Sequence, residues 1–359
     1  MDGSIKRVVV VRPDEKLGET LLATPVFHAL KQLFKESHIE AWVTPQWTGV
    51  INGSPCLDAV RGVPYRPHGR AFWRLFFALR ALRPHAVLIL RPDTRRHALI
   101  AYLARVPVRA GAVQRRPAIA RFLTHVAHFE PSMHQVERNL AVAETWLGRQ
   151  LPRYPLHFAP AQPGSLPAEL KNVPTGRYAV LHLSTGGVQP RWLPERFAAV
   201  GTFLYQKYGL LPVLCGAADV RLIHQKYGLL PVLSGAADVR LMGEQCFQAT
   251  HGVALNLVGR LSILDLAEVL RHARLLVSVD TGVVHLAAAV GTPCVSLHFR
   301  RDYPPHQWHA WQVPNAVVVP LQYCAGCTPL QCQPYPKECV TSIHPEQVIE
   351  AIERLLSTL

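Results

Sequence analysis

Short apolar runs alternate with amphipathic stretches along the first half of the chain. "RVVVVR" (7–12) is four valines closed by arginines, and "IEAWVT" (39–44), "DAVRGV" (58–63) and "HAVLILR" (85–91) repeat the theme. Such runs predict buried strands, while the material between them, such as "ETLLATPVFHALKQLF" (19–34), has helical character. Strands and helices alternating at this spacing predict parallel βαβ units. Residues 149–177 hold six prolines and break the pattern, which predicts a linker over 151–176. The alternation resumes at "YAVLHL" (178–183). The chain therefore reads as α/β, with domains over 1–150 and 177–345 and a C-terminal helix over 346–359. At 359 residues it is long enough for a core in each domain.

One tract is written twice. "QKYGLLPVLCGAADVRLI" (206–223) is followed, after one residue, by "QKYGLLPVLSGAADVRLM" (225–242), identical at sixteen of eighteen positions. There is no third copy, whereas solenoids need about three units to bury a continuous core. A nineteen-residue helix-plus-strand unit is instead about the minimum for a parallel crossover. The expectation is a local tandem duplication inside the second domain. One copy should take the ordinary strand position and the other be extruded or added at an edge, so that deleting 206–224 leaves a folded chain.

Composition narrows the class. A hydrophobic content of 49% with 17% charged residues is that of a globular chain. The longest weakly charged stretch (275–299) is interrupted by Asp280, His285 and a Gly-Thr-Pro turn, so it reads as strand–helix–strand rather than a membrane span. The start "MDGSIKRVVVV" has no signal-peptide architecture, and the expected location is cytoplasmic. A net charge of +14 suits nucleic acid, an anionic membrane or a phosphorylated ligand. No nucleic-acid-binding signature accompanies it, so no nucleic-acid partner is expected.

Candidate chemistry concentrates in "SVDTGVVHLAAAVGTP" (278–293). A strand runs into Asp280-Thr281-Gly282, and a small-residue helix begins there. Asp280 is expected to cap that helix, Gly282 to allow close approach to the backbone, and the exposed amides to form an anion site. His285, one turn in, either reaches the same ligand or is a satisfied core residue. "CAGCTPLQCQPYPKEC" places thiols at Cys324, Cys327, Cys332 and Cys339, a spacing compatible with structural Zn²⁺ or with four reduced cysteines. Cys56, Cys215, Cys246 and Cys294 are isolated and read as core. "GRAFWRLFFALRALRPH" (69–85) mixes four aromatics with four arginines. It reads either as a core-packed helix with solvated arginines, Arg70 and Arg74 projecting away from Arg80 and Arg83, or as a contact with an anionic membrane.

The "D-T-G-x-x-H-L-A-A-A-x-G-T-P" signature resembles the donor-binding signature of glycosyltransferase family nine, the bacterial ADP-heptose:lipopolysaccharide heptosyltransferases. "RPDEKLGETLLATPVFHALKQLF", "HQVERNLAVAETWLG", "HLSTGGVQPRWLPERFAAV", "NLVGRLSILDLAEVLRHARLLVSVDTG" and "CVTSIHPEQVIEAI" resemble further segments of that family in collinear order. The resemblance implies the GT-B architecture, two Rossmann-like domains facing across a cleft, with acceptor bound by the first and nucleotide sugar by the second. It implies inverting, metal-independent transfer of a heptose or related sugar from an ADP-sugar to a lipid-linked saccharide, with no cofactor, at the cytoplasmic face of the inner membrane. The alternatives are a catalytically inactive nucleotide-sugar-binding homologue and a basic module that binds polyanions or membranes.

The family's catalytic base is an Asp after Gly in the first loop; the matching residue here is Glu19, which keeps the carboxylate and adds a methylene. Asp14 and Glu15 lie in the same loop as fallback candidates, and Glu19 also suits a helix's first turn. A family Lys is replaced by Pro190, with Arg191 beside Trp192 as the substitute phosphate-facing cation. Ser184 and Thr185 can donate hydrogen bonds to the diphosphate or sugar. A ribose-binding acid is offered by Asp219, or preferably Asp238, with Glu244 beyond.

Overall fold

The computed structural model describes residues 5–184, 192–216, 239–323 and 338–359. The chain divides into two compact units, Met1–Gln162 and Pro163–Leu359. The first runs β1 (Arg7–Arg12), α1 (Leu17–Leu21), α2 (Thr24–Leu33), β2 (His38–Val43), β3 (Ala59–Gly62), α3 (Gly69–Leu82), β4 (Ala86–Ile89), α4 (Arg95–Leu103), β5 (Val108–Ala112), β6 (His125–Ala127) and α5 (Gln135–Leu147). Its sheet has the order β3-β2-β1-β4-β5-β6 and is parallel throughout. Val8, Val9, Val10 and Val11 are all buried, which explains the unbroken valine run: a central parallel strand is covered on both faces.

The helix expected over 19–34 is two helices. Pro25 lies in the first turn of α2 and has no amide to donate, so the helical ladder cannot run through it. The Thr24 hydroxyl instead donates to the Leu21 carbonyl at 2.7 Å. Strands β5 and β6, short and poor in large apolar residues, carry no pattern that would announce them.

The second unit runs β7 (Tyr178–His182), α6 (Pro194–Tyr208), β8 (Leu211–Cys215), α7 (Val239–Ala249), β9 (Leu255–Asn256), α8 (Ile263–His272), β10 (Leu275–Val279), α9 (Gly282–Val290), β11 (Cys294–Leu297), α10 (Pro305–Trp308), β12 (Asn315–Val318), α11 (Glu338–Thr341) and α12 (Pro345–Leu356). Its sheet order is β12-β11-β10-β7-β8-β9, again all parallel. Counted from β7, this is the strand order of the first unit, and both match the doubly wound pattern. Helix α12 sends Val348, Ala351, Ile352 and Leu355 into the core, so the C-terminal helix is part of this unit. Among the described residues no helix is long and apolar enough to cross a membrane.

Residues of the proline-rich stretch are packed and hydrogen-bonded within their units. Leu151, Leu156 and Phe158 are buried, and the amides of Gly53 and Ala159 bond the carbonyls of Ala159 and Val50 at 2.8 and 3.0 Å. Arg153 is bonded to both Glu137 and Glu144 of α5. Beyond the division, the Ser165 amide donates to Asp265 at 2.8 Å and the Gly176 amide to the His272 carbonyl at 2.8 Å. Proline removes the regular pattern here but not the packing.

The described residues include the first copy's strand and the end of the second copy. The strand of the first copy, β8, sits between β7 and β9; the second copy's strand lies outside the described residues. Helix α7 begins with the last residues of the second copy. A Cβ on Gly216 would come within 2.9 Å of Val239 Cγ1, so the chain leaves after β8 and returns to nearly the same place. Three residues span up to about 10 Å, enough to join those points. Deleting 217–235 would leave Ala236-Ala237-Asp238 as that bridge. Deleting 206–224 would yield the same sequence except for serine in place of Cys215. Both shortened chains are expected to be soluble and to unfold cooperatively, the second slightly less stable because Cys215 is fully buried. Chemical denaturation checks this, and aggregation of both products would reject it.

Candidate active site

In a doubly wound sheet, ligands gather beyond the carboxyl ends of the strands where the strand order reverses. That point lies between β1 and β4 in the first unit and between β7 and β10 in the second. Among the described residues singled out from sequence, Asp14 and Glu19 follow β1 at the first point, and Ser184, Asp280, Thr281 and Gly282 follow β7 and β10 at the second.

In the first unit β1 ends in Arg12, 2% exposed, whose guanidinium is bonded to Glu19 on α1. Arg12 Nη1 also donates to the Leu90 carbonyl at 2.9 Å and to Asn139 Oδ1 at 3.3 Å. Asn139 Nδ2 in turn donates to the Leu22 carbonyl at 2.8 Å. Arg12 thus ties β1, α1, the end of β4 and α5 together and holds the Glu19 carboxylate, which keeps 12% of its side-chain surface. Burial pushes the Glu19 carboxyl above its ordinary value of 4.5, against the opposing pull of Arg12. A carboxyl raised in this way is, in its ionised form, a stronger base than a free one.

The fallback acids differ. Asp14 is buried and bonded to Arg91, which also bonds the Tyr65 hydroxyl and lies 4.3 Å over the Tyr65 ring. Its carboxylate is thereby committed to the loop. The Glu15 carbonyl accepts from Gln46 Nε2 and Trp47 Nε1 at 2.8 and 3.1 Å, which fixes the backbone ahead of α1.

In the second unit, His182 and Ser278 are register partners at the ends of β7 and β10. His182 is buried between two hydroxyls, Ser184 at 3.1 Å and Ser278 at 3.4 Å. Burial lowers its pKa to about 4, so the ring is neutral and orients Ser184 by hydrogen bonding. Two residues beyond Ser278, Asp280 donates its amide to the Leu297 carbonyl at 2.9 Å, and its carboxylate lies 3.6 Å from His298 Nδ1. Burial, with a contribution from His309, lowers the His298 pKa to about 4 as well. The imidazole beside Asp280 therefore carries no charge at neutral pH.

The expected helix cap is corrected. Thr281, not Asp280, is the N-cap of α9, and its side chain accepts from the Val283 amide at 3.4 Å. Thr281 has the extended backbone that a cap requires (φ −146°), which leaves the Asp280 carboxylate at the end of β10, outside the capping role. Gly282 is the first helical residue, and its φ is not in the left-handed region. His285 is buried on α9, with its ring 6.4 Å from that of Trp308. The run Ala287, Ala288 and Val284 lets α9 pack closely on the sheet, and Gly291, at φ 84°, ends it.

Thr185, Pro190, Arg191, Asp219, Asp238, Cys324, Cys327 and Cys332 lie outside the described residues. Glu244 is exposed on α7 and bonded to Gln248 at 2.8 Å. Trp192 is a core residue: its indole donates to the Ile343 carbonyl at 3.0 Å and packs edge-on against Phe197. Cys215, Cys246 and Cys294 are buried, and burial pushes each thiol up to about 12. Cys56 is corrected: it is half-buried in a surface turn, not in the core. Cys339 is buried in the core of the second unit. Among the described residues no group of three or more His, Cys, Asp or Glu is arranged to hold a metal.

Sequence reasoning missed Arg12, Asn139, His182 and His298. For Arg12, His182 and His298 the hint was an ionisable residue closing or following an apolar strand, as in "RVVVVR" and "YAVLHL"; Asn139, on α5, had none.

Two doubly wound parallel sheets of identical strand order, one per unit, are the α/β architecture of the GT-B class. The chain belongs to glycosyltransferase family 9, the heptosyltransferase family, whose model matches residues 72–335, about three quarters of its length. It is 25% identical over 353 residues to lipopolysaccharide heptosyltransferase 3 of Escherichia coli, covering 94% of this chain and 96% of the relative. Its fold is similar to that of a family 9 glycosyltransferase from Veillonella parvula (TM-score 0.73, 20% identity, 100% and 99% coverage). It is also similar to that of E. coli heptosyltransferase WaaC with ADP-2-deoxy-2-fluoro heptose (TM-score 0.68, 20% identity, 97% and 99% coverage).

Proposed function

We propose that the chain transfers a heptose from ADP-heptose to a saccharide of the lipopolysaccharide core, by direct displacement with inversion and without a catalytic metal. The observation that carries this reading is the capped start of α9. Thr281 takes the cap, and the N-terminal end of α9 turns the positive pole of its dipole towards the diphosphate, with the Asp280 carboxylate beside it as the proposed contact to sugar hydroxyls. Ser184, held by neutral His182, adds a hydroxyl at the adjoining strand end. The structural relative seen with a fluorinated ADP-heptose supports the choice of donor.

In the first unit, Glu19 accepts the proton of the acceptor hydroxyl as its oxygen bonds to the anomeric carbon. The bond from that carbon to the ADP oxygen breaks in the same step, and ADP leaves with the electron pair. The amides at α9 stabilise its developing charge, with Arg191 as the proposed cation. The acceptor is read as lipid-linked, so the enzyme works peripherally at the cytoplasmic face of the inner membrane. Asp238 on the donor ribose and a structural Zn²⁺ at Cys324, Cys327, Cys332 and Cys339 complete the reading.

ADP is expected to stabilise the chain against heat, by about 2.7 kcal/mol at a concentration of 100 Kd. Thermal unfolding with ADP, UDP, GDP and no nucleotide measures this. Indifference to every diphosphate would remove the donor site. Stabilisation by ADP without acceptor-dependent ADP release would reduce the protein to an inactive binder.

A further inference from the structure

We propose that the exposed face of α3, with the basic cavity at its C-terminal end, docks the first unit on an anionic phospholipid surface. This deepens the reading of a lipid-linked acceptor by naming the part of the fold that meets the bilayer. It rests on that reading only for its purpose, so vesicle binding without donor or acceptor tests it separately.

Helix α3 buries Leu75 and Leu79 against the core of its unit and leaves Arg70, Trp73, Arg74, Phe77 and Arg80 exposed. These positions, spaced three and four apart, form one stripe, so Arg80 shares the face of Arg70 and Arg74; the expectation that it projects away is corrected. Only Arg83, past the last turn, leaves the stripe. Trp73 is 54% exposed and Phe77 62%, too much large aromatic surface for a face meant only for water. Trp73 is held edge-on to Phe72 and Phe76, at 5.5 and 5.6 Å, by rings of its own helix.

The charge around this stripe has one sign. Between Asp58 and Asp93 the chain has seven arginines and no acidic residue. Arg83 caps α3 in the left-handed conformation (φ 46°). With Arg80 it borders an open cavity of about 640 Å³ whose other basic walls are Lys6, Arg7, His85 and Arg105, with no acid among the lining residues. An ordinary solvated surface intersperses both signs. Tryptophan and phenylalanine flanked by arginines instead match an interfacial helix, whose aromatics enter the headgroup region while cations pair with phosphates. The cavity is wide enough for a lipid headgroup phosphate and offers it the cations Lys6, Arg7, Arg80, Arg83 and Arg105.

Flotation of the full chain with phosphatidylcholine vesicles, with and without about 30 mol % phosphatidylglycerol, tests this. Binding is expected only to the anionic vesicles and should weaken with salt. Arg70→Gln, Arg74→Gln and Arg80→Gln should each reduce partitioning about fivefold, about 100-fold together. Trp73→Ser with Phe77→Ser should reduce it about tenfold. Both sets should keep the wild-type melting temperature, since the side chains are exposed. The proposal fails if wild type ignores anionic vesicles at low salt, or if either set of variants binds them as wild type does. It also fails if the same arginines serve binding to single-stranded RNA while vesicles are ignored.

Discussion

Glu19→Gln is expected to lower turnover by about 10²–10⁴ with little change in ADP affinity, because the amide keeps the shape of the side chain but cannot take the acceptor's proton. The acid limb of kcat/KM should report the same group. Burial holds the Glu19 carboxyl above 4.5, so wild-type activity should fall as pH drops through a midpoint above that value, and the limb should vanish in the variant. Steady-state kinetics with ADP release as the readout, across pH, checks both points. Wild-type turnover in Glu19→Gln would move the base elsewhere.

The largest stability effect is expected from Arg12→Met. Arg12 is 2% exposed and its partner Glu19 12%, so removing the guanidinium leaves a carboxylate in a low-dielectric setting without its cation. Breaking a buried pair on one side costs about 3–5 kcal/mol. The sign of the pH dependence follows from the carboxyl. Its folded pKa is raised, and loss of Arg12 raises it further. Such a group contributes stability below its unfolded pKa and loses that contribution as pH rises through the folded one. The gap between wild type and variant should therefore be widest near about pH 7 and narrow towards about pH 5. Adding Glu19→Gln should recover much of the loss, although the Leu90 and Asn139 contacts of Arg12 stay broken. Urea unfolding of the four chains at both pH values measures the coupling. A gap independent of pH would mean that the pair does not govern this effect.

The second result turns on Arg12, which the sequence alone did not single out. Glu19 was found because the loop "LGET" resembles a family motif. Arg12 was only the last letter of a strand, and its role depends on α5, 127 positions away, bringing Asn139 alongside. The second unit shows the same division. "DTG" between a strand and an Ala-rich helix marked the place, but whether Asp280 or Thr281 caps the helix is a matter of backbone angles. His182 went unnoticed because a histidine in a strand has no meaning until Ser184 and Ser278 arrive on either side of it. Cys56 looked like its isolated fellows, yet a surface turn and a core strand leave no different mark around a single cysteine.

Periodicity along the chain determined the alternating strands and helices, the restart after the prolines and the doubled tract, because strand and helix formation respond to local patterning. The ordered motifs determined the family. The place of the first copy's strand in the sheet, how the proline-rich stretch is strapped down, and which cation holds the Glu19 carboxylate were decided only in three dimensions. Each of these depends on partners far apart in sequence. Burial and pairing energies arise when the folded chain brings such groups together, and no local pattern encodes that meeting.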